Sequence, residues 1–306
     1  MIEVSVIIPT YNRLESVIRA IDSVFSQKNV SVECILIDDC STDGTVRYIQ
    51  DNYSTHNITI IKNSCRSGAQ FSRNQGLIAA QGVFIAFLDS DDVFEMNTLS
   101  ERVQRCNEFK LDSLFSAYRV KLMGKNWELT KNVTQSVRPT PSNYSEALKN
   151  FKIAPLITIM FRRSAFPDLQ LDESLRSGHD DDLSLTLIFQ GRYEFDNIFA
   201  ATIFQHSGER VASQRNLAIG DAQLLKKYSE DLYYYHGANF FIKKQSKVIS
   251  GLLVNLQFMI AKRSLLEHKS IAPLPRVLVL TLCILPYQFY QTVRIKMLNF
   301  FARKVL

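Results

Sequence analysis

Asp89, Asp91 and Asp92 form an acidic cluster directly after the apolar residues 83–88. This apolar run is rich in β-branched and aromatic residues, which predicts a strand buried on both faces in the middle of a parallel sheet. In open α/β sheets the ligand crevice lies outside the carboxyl ends of the strands. Carboxylates spaced Asp-x-Asp-Asp there offer hard oxygen ligands to a divalent cation, which would hold an anion such as a diphosphate. The alternative is a turn in which Asp and Ser side chains only cap the next helix.

The second acidic cluster occupies residues 180–182, which are all aspartates and follow His179. It leads into residues 183–190, whose apolar spacing predicts an amphipathic helix that Gly191 ends. Taken alone, a carboxylate at a helix start is explained as a cap that the helix dipole favours.

The elements that position these acids alternate between strand and helix. Predicted strands cover residues 4–8, 32–37, 58–61 and 83–88, and helices lie between them. This alternation predicts parallel pairing through right-handed crossovers. Pro9 is expected to end the first strand because proline cannot donate to a ladder. Asn12 and Glu15 match a capping box for the helix that follows.

Composition excludes several classes of protein. A chain of 306 residues with 46% hydrophobic residues can build a real core and is not disordered. The five cysteines are odd in number and lack Cys-x-x-Cys spacing, which argues against a disulfide framework or a zinc site and fits a reducing cytosol. The first residues run directly into strand-like sequence, so no signal peptide is predicted.

Positive charge is concentrated in residues 243–306. They hold 11 of the 36 Lys and Arg and one of the 30 Asp and Glu, a net +10, which leaves 25 basic and 29 acidic groups, a net −4, for residues 1–242. The apolar run before Pro286 is shorter than the ~20 residues of a spanning helix. Interleaved aromatic and basic residues predict an amphipathic element at an anionic membrane surface. The alternative is a helical pair that packs on the rest of the chain or on a second subunit, which leaves homo-oligomerisation open.

Four motifs occur in order over residues 4–92: VSVIIPTYNR, LIDDCSTDGT, SRNQG and FLDSDD. Together they resemble family-2 glycosyltransferases with the GT-A fold. The resemblance implies a nucleotide-binding α/β/α sandwich with a mixed, mostly parallel central sheet, followed by a helical C-terminal extension. Residues 1–215 would form the catalytic domain, with 1–110 binding the nucleotide-sugar and 111–215 supplying the acceptor and base half. Residues 216–306 would form the helical, basic, membrane-associating region.

The resemblance also implies a donor site on the loops after the first strands. In it Tyr11 can stack on a pyrimidine and Asp39 can accept from the N3–H of uracil, while arginines reach the diphosphate or the base pocket. The implied nucleotide-sugar-binding residues are Pro9, Tyr11, Arg13, Asp38, Asp39, Arg66, Arg73, Ser90 and Asp91. The implied metal ligands are Asp89, Asp91 and His206, an arrangement that suits Mn²⁺ or Mg²⁺.

In the family's second half a Gly-Glu-Asp type motif opens a helix, and its Asp acts as catalytic base. Here His179 replaces the Glu, so the base maps onto Asp180, with Asp181 as a rival. His206 either completes the metal shell or is a structural histidine. Two further candidates are Arg210, for the diphosphate, and Trp127, which either stacks on a sugar or packs.

The implied reaction is an inverting transfer of a sugar from a nucleotide diphosphate to a glycan or lipid-linked glycan, at the cytoplasmic face of the membrane in bacterial polysaccharide or lipopolysaccharide assembly. A sugar nucleotidyltransferase would carry a Gly-rich phosphate loop, which residues 9–13 are not. A non-catalytic nucleotide-sugar-binding protein would need Asp39 and Asp91 but not Asp180. Nucleic-acid binding would explain the basic end but none of the acids, so no nucleic-acid partner is expected.

Overall fold

The computed structural model describes residues 1–123, 128–134, 141–151, 153–206 and 214–254. The chain divides into two compact units. The first comprises Met1–Glu173 and His179–Glu209, and the second comprises Ser174–Gly178 and Arg210–Leu306. The predicted boundary at residue 215 stays a prediction.

The first unit is built on one mixed sheet, in which the strands stand in the order β3-β2-β1-β4-β8-β6-β9-β5, with β7 paired to β6. Parallel pairs join β1 to β2 and β4, β2 to β3, and β6 to β9, whereas the other pairs are antiparallel. The strands are β1 (Val4–Thr10), β2 (Val32–Asp38), β3 (Ile58–Lys62), β4 (Phe84–Phe87), β5 (Val93–Phe94), β6 (Ser113–Met123), β7 (Glu128–Val133), β8 (Ile159–Arg162) and β9 (Tyr193–His206).

Helices connect β1 to β2, β2 to β3 and β3 to β4, as the hydrophobic pattern predicts. In the first unit the helices are α1 (Leu14–Phe25), α2 (Thr45–Asn52), α3 (Ala69–Ala79), α4 (Thr98–Glu108), α5 (Tyr144–Asn150) and α6 (His179–Gln190). Two 3₁₀ turns, Leu156–Thr158 and Arg163–Ala165, flank β8.

The core lies where the parallel strands stack against helices. In the sheet Ile7 stands opposite both Ile35 and Phe87, and all three are fully buried or nearly so. Helix α1 buries Val17 and Ile21 from its apolar face. Burying each such side chain stabilises the fold by about 1.5–3 kcal/mol relative to exposure. The two central strands β1 and β2 end in the polar residues Thr10 and Asp38, and the candidate site forms at these carboxyl ends.

Pro9 does not end β1, contrary to the prediction, because the strand continues to Thr10 with Pro9 opposite Ile37. The pairing of β1 with β4 stops at Ile7 opposite Phe87. Beyond that point only β2 lies beside β1, so the sheet tolerates a residue without an amide hydrogen.

The predicted capping box of α1 is also wrong. The N-cap position is Arg13, which has no side-chain cap. Asn12 adopts the left-handed conformation, with φ of 48°, and its Oδ1 accepts from the Thr42 amide at 2.7 Å. The Leu14 amide donates to Asp43 at 3.1 Å. The loops after β1 and β2 are therefore joined by hydrogen bonds, and the start of α1 is capped by Asp43 and not by Asn12.

The second unit contains α7 (Gln214–Lys227) and α8 (Ser229–Val254), and α8 is interrupted by the non-helical Gly237. The Gln223 side chain accepts from the Arg176 amide at 2.8 Å and donates to the Ser174 carbonyl at 2.7 Å. These bonds tie the short segment Ser174–Gly178 to α7. In the part of the chain that the structure describes, no helix combines the length and hydropathy needed to cross a membrane.

Candidate functional site

Asp39 organises the loop that leads into α3. Its Oδ1 accepts from the Asn63 side chain and the Ser67 amide, both at 2.8 Å, and its Oδ2 accepts from the Gly68 amide at 2.9 Å. Burial alone would raise the pKa of Asp39, but these hydrogen bonds and the nearby Arg66 guanidinium lower it below its ordinary value. The carboxylate is therefore a stable negative charge at the start of a helix.

The other residues predicted to bind the base and ribose stand beside Asp39. Buried Asp38 ends β2, and its Oδ2 accepts from the Ser41 amide at 3.0 Å. The guanidinium carbon of Arg66 lies 4.1 Å from the centroid of the Tyr11 ring. This is a cation–π contact between the loops that follow β1 and β3. Arg66 and the ring of Tyr11 therefore lie together beyond the carboxyl end of β1, in which Pro9 is the last residue but one.

Each of two carboxylates in the first acidic cluster is ion-paired with an arginine from another element. Arg73 of α3 donates to Asp89, and Arg13, from the loop after β1, pairs with Asp91. Ser90 between the two acids is buried. The structure therefore brings together five residues that the sequence analysis assigned to the donor or the metal.

Asp92 is the buried member of this cluster and accepts from the Phe204 amide at 2.9 Å. The pKa of Asp92 is raised to about 8, first by burial and then by the charge of Asp89, while the hydrogen bond from Phe204 opposes the shift. A third negative charge is thus unfavourable here even with the two arginines present, and an added positive charge would favour the ionised form of Asp92.

This oxygen-only donor set fits Mg²⁺ or Mn²⁺, which proteins often bind through one or two carboxylates and substrate phosphates. Among the described residues, no group of three or more His, Cys, Asp and Glu side chains could hold a metal ion. The side chain of His206 lies outside the described residues, as do Trp127 and Arg210.

The second acidic cluster lies inside the first turn of α6, which begins at His179 and not at the predicted Leu183. Asp180 is half-buried, and its pKa is raised to about 6, first by burial and then by the charge of Asp89, while Arg73 opposes the shift. A carboxylate with this pKa is ionised at neutral pH and can accept a proton. Helix α3 links the two acidic clusters, because its Arg73 pairs with Asp89 and its Gln70 contacts His179, the residue before Asp180.

The neighbours of Asp180 have different surroundings. Oδ1 of Asp181 accepts from the Ile153 amide at 2.9 Å. His179 contacts the side-chain amide of Gln70. Burial and the charge of Arg73 lower the pKa of His179 to about 4, so this imidazole is neutral at physiological pH. Asp181 thus holds the chain before β8, and His179 adds no charge beside Asp180.

Several residues of this arrangement were missed by the sequence analysis. Asn63 and Gln70 are isolated amides in polar segments, and Asn12 was assigned to the wrong cap. Asn74 was placed on a helix without a role, but its side chain bonds to Leu171 and Glu173. Single amides carry no spacing signal, because their partners lie far away along the chain.

Comparison with known proteins agrees with the geometry. The profile of Glycosyl transferase family 2 matches residues 5–170, which is more than half of the chain. The teichuronic acid biosynthesis glycosyltransferase TuaG of Bacillus subtilis (strain 168) is 33% identical over 190 residues, which cover 61% of this chain and 73% of TuaG.

A second relative is the UDP-Glc:alpha-D-GlcNAc-diphosphoundecaprenol beta-1,3-glucosyltransferase WfgD of Escherichia coli. It is 33% identical over 162 residues, which cover 52% of this chain and 60% of WfgD. Among solved structures, S. aureus TarS 1–349 in complex with UDP-GlcNAc superposes with a TM-score of 0.65 at 20% identity, covering 86% of this chain and 79% of that one. The GT-A type fold is thereby confirmed.

Proposed function

This chain belongs to glycosyl transferase family 2, and on that premise we propose that it transfers a sugar from a UDP-sugar to a glycan or lipid-linked glycan with inversion. The observation that carries the proposal is that helix α3 joins the two acidic clusters, through the pair of Arg73 with Asp89 and the contact of Gln70 with His179 beside Asp180. One cluster suits the departing diphosphate and the other suits the attacking hydroxyl.

At the donor end, we assign the base and ribose to Pro9, Tyr11, Asp38 and Asp39, and we assign a flanking role to Arg66. The ring of Tyr11 and the plane of Arg66 are both surfaces on which a pyrimidine can stack. Asp39 stays ionised because its three hydrogen bonds lower its pKa, so it can accept from the N3–H of uracil.

The diphosphate would lie between the first acidic cluster and its arginines. A divalent cation held by Asp91 and Asp89 would supply Lewis-acid charge for the leaving group. Arg13 and Arg73, which bond to these aspartates, carry the guanidinium groups that bind phosphate oxygens in two-pronged geometry. Both arginines would stabilise the negative charge that develops on the leaving diphosphate.

At the acceptor end, Asp180 is the proposed general base. Its raised pKa matches the removal of a proton from a sugar hydroxyl near neutral pH better than an ordinary carboxylate would. Asp181 is the second candidate, but its bond to the Ile153 amide favours a structural role. Attack assisted by one base, opposite a held diphosphate, is a single displacement and inverts the anomeric carbon.

The setting follows from the relatives and from charge. TuaG is named for teichuronic acid biosynthesis and WfgD for a diphosphoundecaprenol acceptor, so we propose a role in bacterial surface polysaccharide or lipopolysaccharide synthesis. The net +10 of residues 243–306 would hold the enzyme peripherally at the anionic cytoplasmic face of the membrane, where lipid-linked acceptors are found.

The test is nucleoside diphosphate release from a panel of nucleotide sugars, with Mn²⁺ or with EDTA, by the wild type and by Asp91→Ala. Metal-dependent release from one donor, lost in Asp91→Ala, supports the proposal and names the sugar. Asp51→Ala is a matched control, because Asp51 is an exposed aspartate of α2 that pairs only loosely, at 3.8 Å, with Arg47. If no nucleotide sugar binds to the wild type, the donor assignment is wrong.

A further inference from the structure

Helix α3 contacts both sides of the donor site. The Gly68 amide, at its N-cap, donates to Asp39 at 2.9 Å. One turn into the helix, the buried side chain of Arg73 pairs with Asp89. The same helix therefore carries a bond to the loop assigned to the base and a bond to the acids assigned to the diphosphate and metal.

The helix also holds the segment that precedes Asp180. The buried Asn74 accepts from the Leu171 amide at 2.8 Å through Oδ1. Its Nδ2 donates to the Leu171 carbonyl at 3.0 Å and to Glu173 at 2.8 Å. Gln70 lies four residues earlier, on the same face of the helix, and contacts His179. Helix α3 thus grips the chain at residues 171–173 and again immediately before Asp180.

Helix α3 itself packs closely against the sheet at Gly76. Gly76 lies so near β1 that a Cβ atom there would stand 2.4 Å from Cγ2 of Ile7 and 3.0 Å from Cδ1 of Ile37. The backbone of α3 therefore packs directly on the two strands whose ends carry the donor loops. Because this packing is tight, α3 has a fixed position on the sheet. The segments that its side chains bind are therefore also held at fixed positions relative to the sheet.

We propose that Asn74 and Gln70 are positioning residues that set where Asp180 stands relative to the donor-site acids. The inference rests on the proposed role of Asp180 as base. Neither side chain needs to touch the substrate, because each acts through the segment that it holds. A displacement of about 1 Å at a reacting group can cost on the order of a hundredfold in rate.

The experiment compares Asn74→Ala and Gln70→Ala with the wild type. The donor is the nucleotide sugar from which the wild type releases nucleoside diphosphate. The measurements are kcat, the Kd for UDP by calorimetry, and hydrogen exchange at the Leu171 amide. We expect kcat of Asn74→Ala to fall about 10- to 100-fold while the Kd for UDP stays within about twofold. Exchange at Leu171 should accelerate because its amide loses an acceptor.

Asn52→Ala is the matched control, because Asn52 is an exposed asparagine whose side chain donates only within α2, to the Tyr48 carbonyl at 2.9 Å. It should match the wild type in kcat, UDP affinity and exchange at Leu171. If Asn74→Ala does not fold, Asn74→Ser replaces it, because its hydroxyl adds no charge to this buried position but is too short to keep the bonds to Leu171 and Glu173. An unchanged kcat in these variants would overturn the proposal, and so would a loss of UDP affinity as large as the loss of kcat.

Failure of the proposed function is recognised separately. In that case the wild type would turn over no nucleotide sugar, and Asn74 would be excluded as a positioning residue for a base. If the wild type is active and Asn74→Ala is equally active, only the positioning role is wrong.

Discussion

Asp180 and Asp91 are both aspartates that follow polar turns, but their surroundings give them different chemistry. Asp91 stands beside Arg13, which neutralises it. Burial and the negative charge of Asp89 raise the pKa of Asp180 to about 6. An ionised carboxylate suits a cation partner, whereas a carboxylate with a raised pKa suits proton transfer.

The first prediction concerns the identity of the base. Asp180→Asn should lower kcat by about a hundred- to ten-thousandfold, the usual contribution of a general base. Asp181→Asn keeps an oxygen that can accept from the Ile153 amide and should lower kcat less than tenfold. Steady-state assays of both variants, with UDP affinity as the folding control, decide between them. A larger loss in Asp181→Asn would move the base to Asp181.

The second prediction is the pH dependence of the wild type. The base must be ionised, so kcat/KM should be half its plateau near pH 6 and should fall about tenfold for each further unit of acidification. The plateau lies at higher pH because the carboxylate is then fully ionised. A profile that stays flat down to pH 5 would contradict the assignment of Asp180.

The third prediction links the same residue to stability. Because the folded-state pKa of Asp180 is raised, the folded protein binds this proton more tightly than the unfolded chain does. The contribution of Asp180 to stability is therefore unfavourable at neutral pH and disappears as pH falls through about 6 towards 4. Asp180→Asn should raise the free energy of unfolding at pH 7.5 by about 1–2 kcal/mol. Thermal unfolding at pH 7.5 and pH 4.5 measures this, and an equal gain at both values would rule out the electrostatic cause.

At the scale of elements, α3 matters more than its modest amphipathic character indicates. Its buried positions include the polar Ser72, Arg73 and Asn74, together with Gly76. Polar side chains at such positions are costly to bury unless they are hydrogen-bonded. Here Ser72 accepts from Asn63, Arg73 pairs with Asp89, and Asn74 bonds to Leu171. Helix α3 thereby connects the loop after β3, the first acidic cluster and the segment before Asp180.

The fourth prediction tests the close packing of α3 against the sheet at Gly76. Gly76→Ala adds a methyl group that must displace Ile7 or the helix, and such overpacking costs about 1–3 kcal/mol. The midpoint of thermal or denaturant unfolding measures the loss. Ile78→Ala, on the same helix at a position 73% exposed, should change stability by no more than about 0.5 kcal/mol. Equal stability of Gly76→Ala and the wild type would show that the helix can shift without cost.

At the scale of the whole molecule, charge separates one part of the chain from the rest. Residues 1–242 carry a net −4 and residues 243–306 a net +10. A basic, aromatic-rich sequence of this kind is attracted to an anionic bilayer, with about 1 kcal/mol for each basic residue near the surface. Membrane association would place the enzyme beside lipid-linked acceptors.

The fifth prediction tests this attraction. Changing Arg294, Lys296, Arg303 and Lys304 to Gln should weaken binding to vesicles that contain anionic lipid by about a hundredfold or more, while release of nucleoside diphosphate from the donor stays unchanged. Vesicle sedimentation at low and high salt measures binding, and vesicles of neutral lipid provide the control. Absence of binding to either kind of vesicle would argue for a helical pair that packs within the protein or on a second subunit.

The sequence by itself determined the family, the alternation of the first four predicted strands with helices, and the position of both acidic clusters, whereas β5, β7 and α5 were not predicted. Those features are local, because a buried strand needs a continuous apolar run and the acids follow it directly. Asp39 and Asp89 could be named for this reason, whereas Asp180 was named from the family's Gly-Glu-Asp type motif. Pro9 was predicted to end its strand, but the strand runs one residue further, to Thr10.

Only the tertiary structure decided which partner each of these residues has. Asn12 bonds across 30 residues to Thr42 and not to its own helix. Asn74 bonds across 97 residues to Leu171. Arg13 and Arg73 were assigned to the diphosphate, and the fold places each of them on an aspartate of the first cluster. Hydrogen bonds and ion pairs of this kind depend on which strand ends meet in space, and a local pattern of residue types does not contain that information.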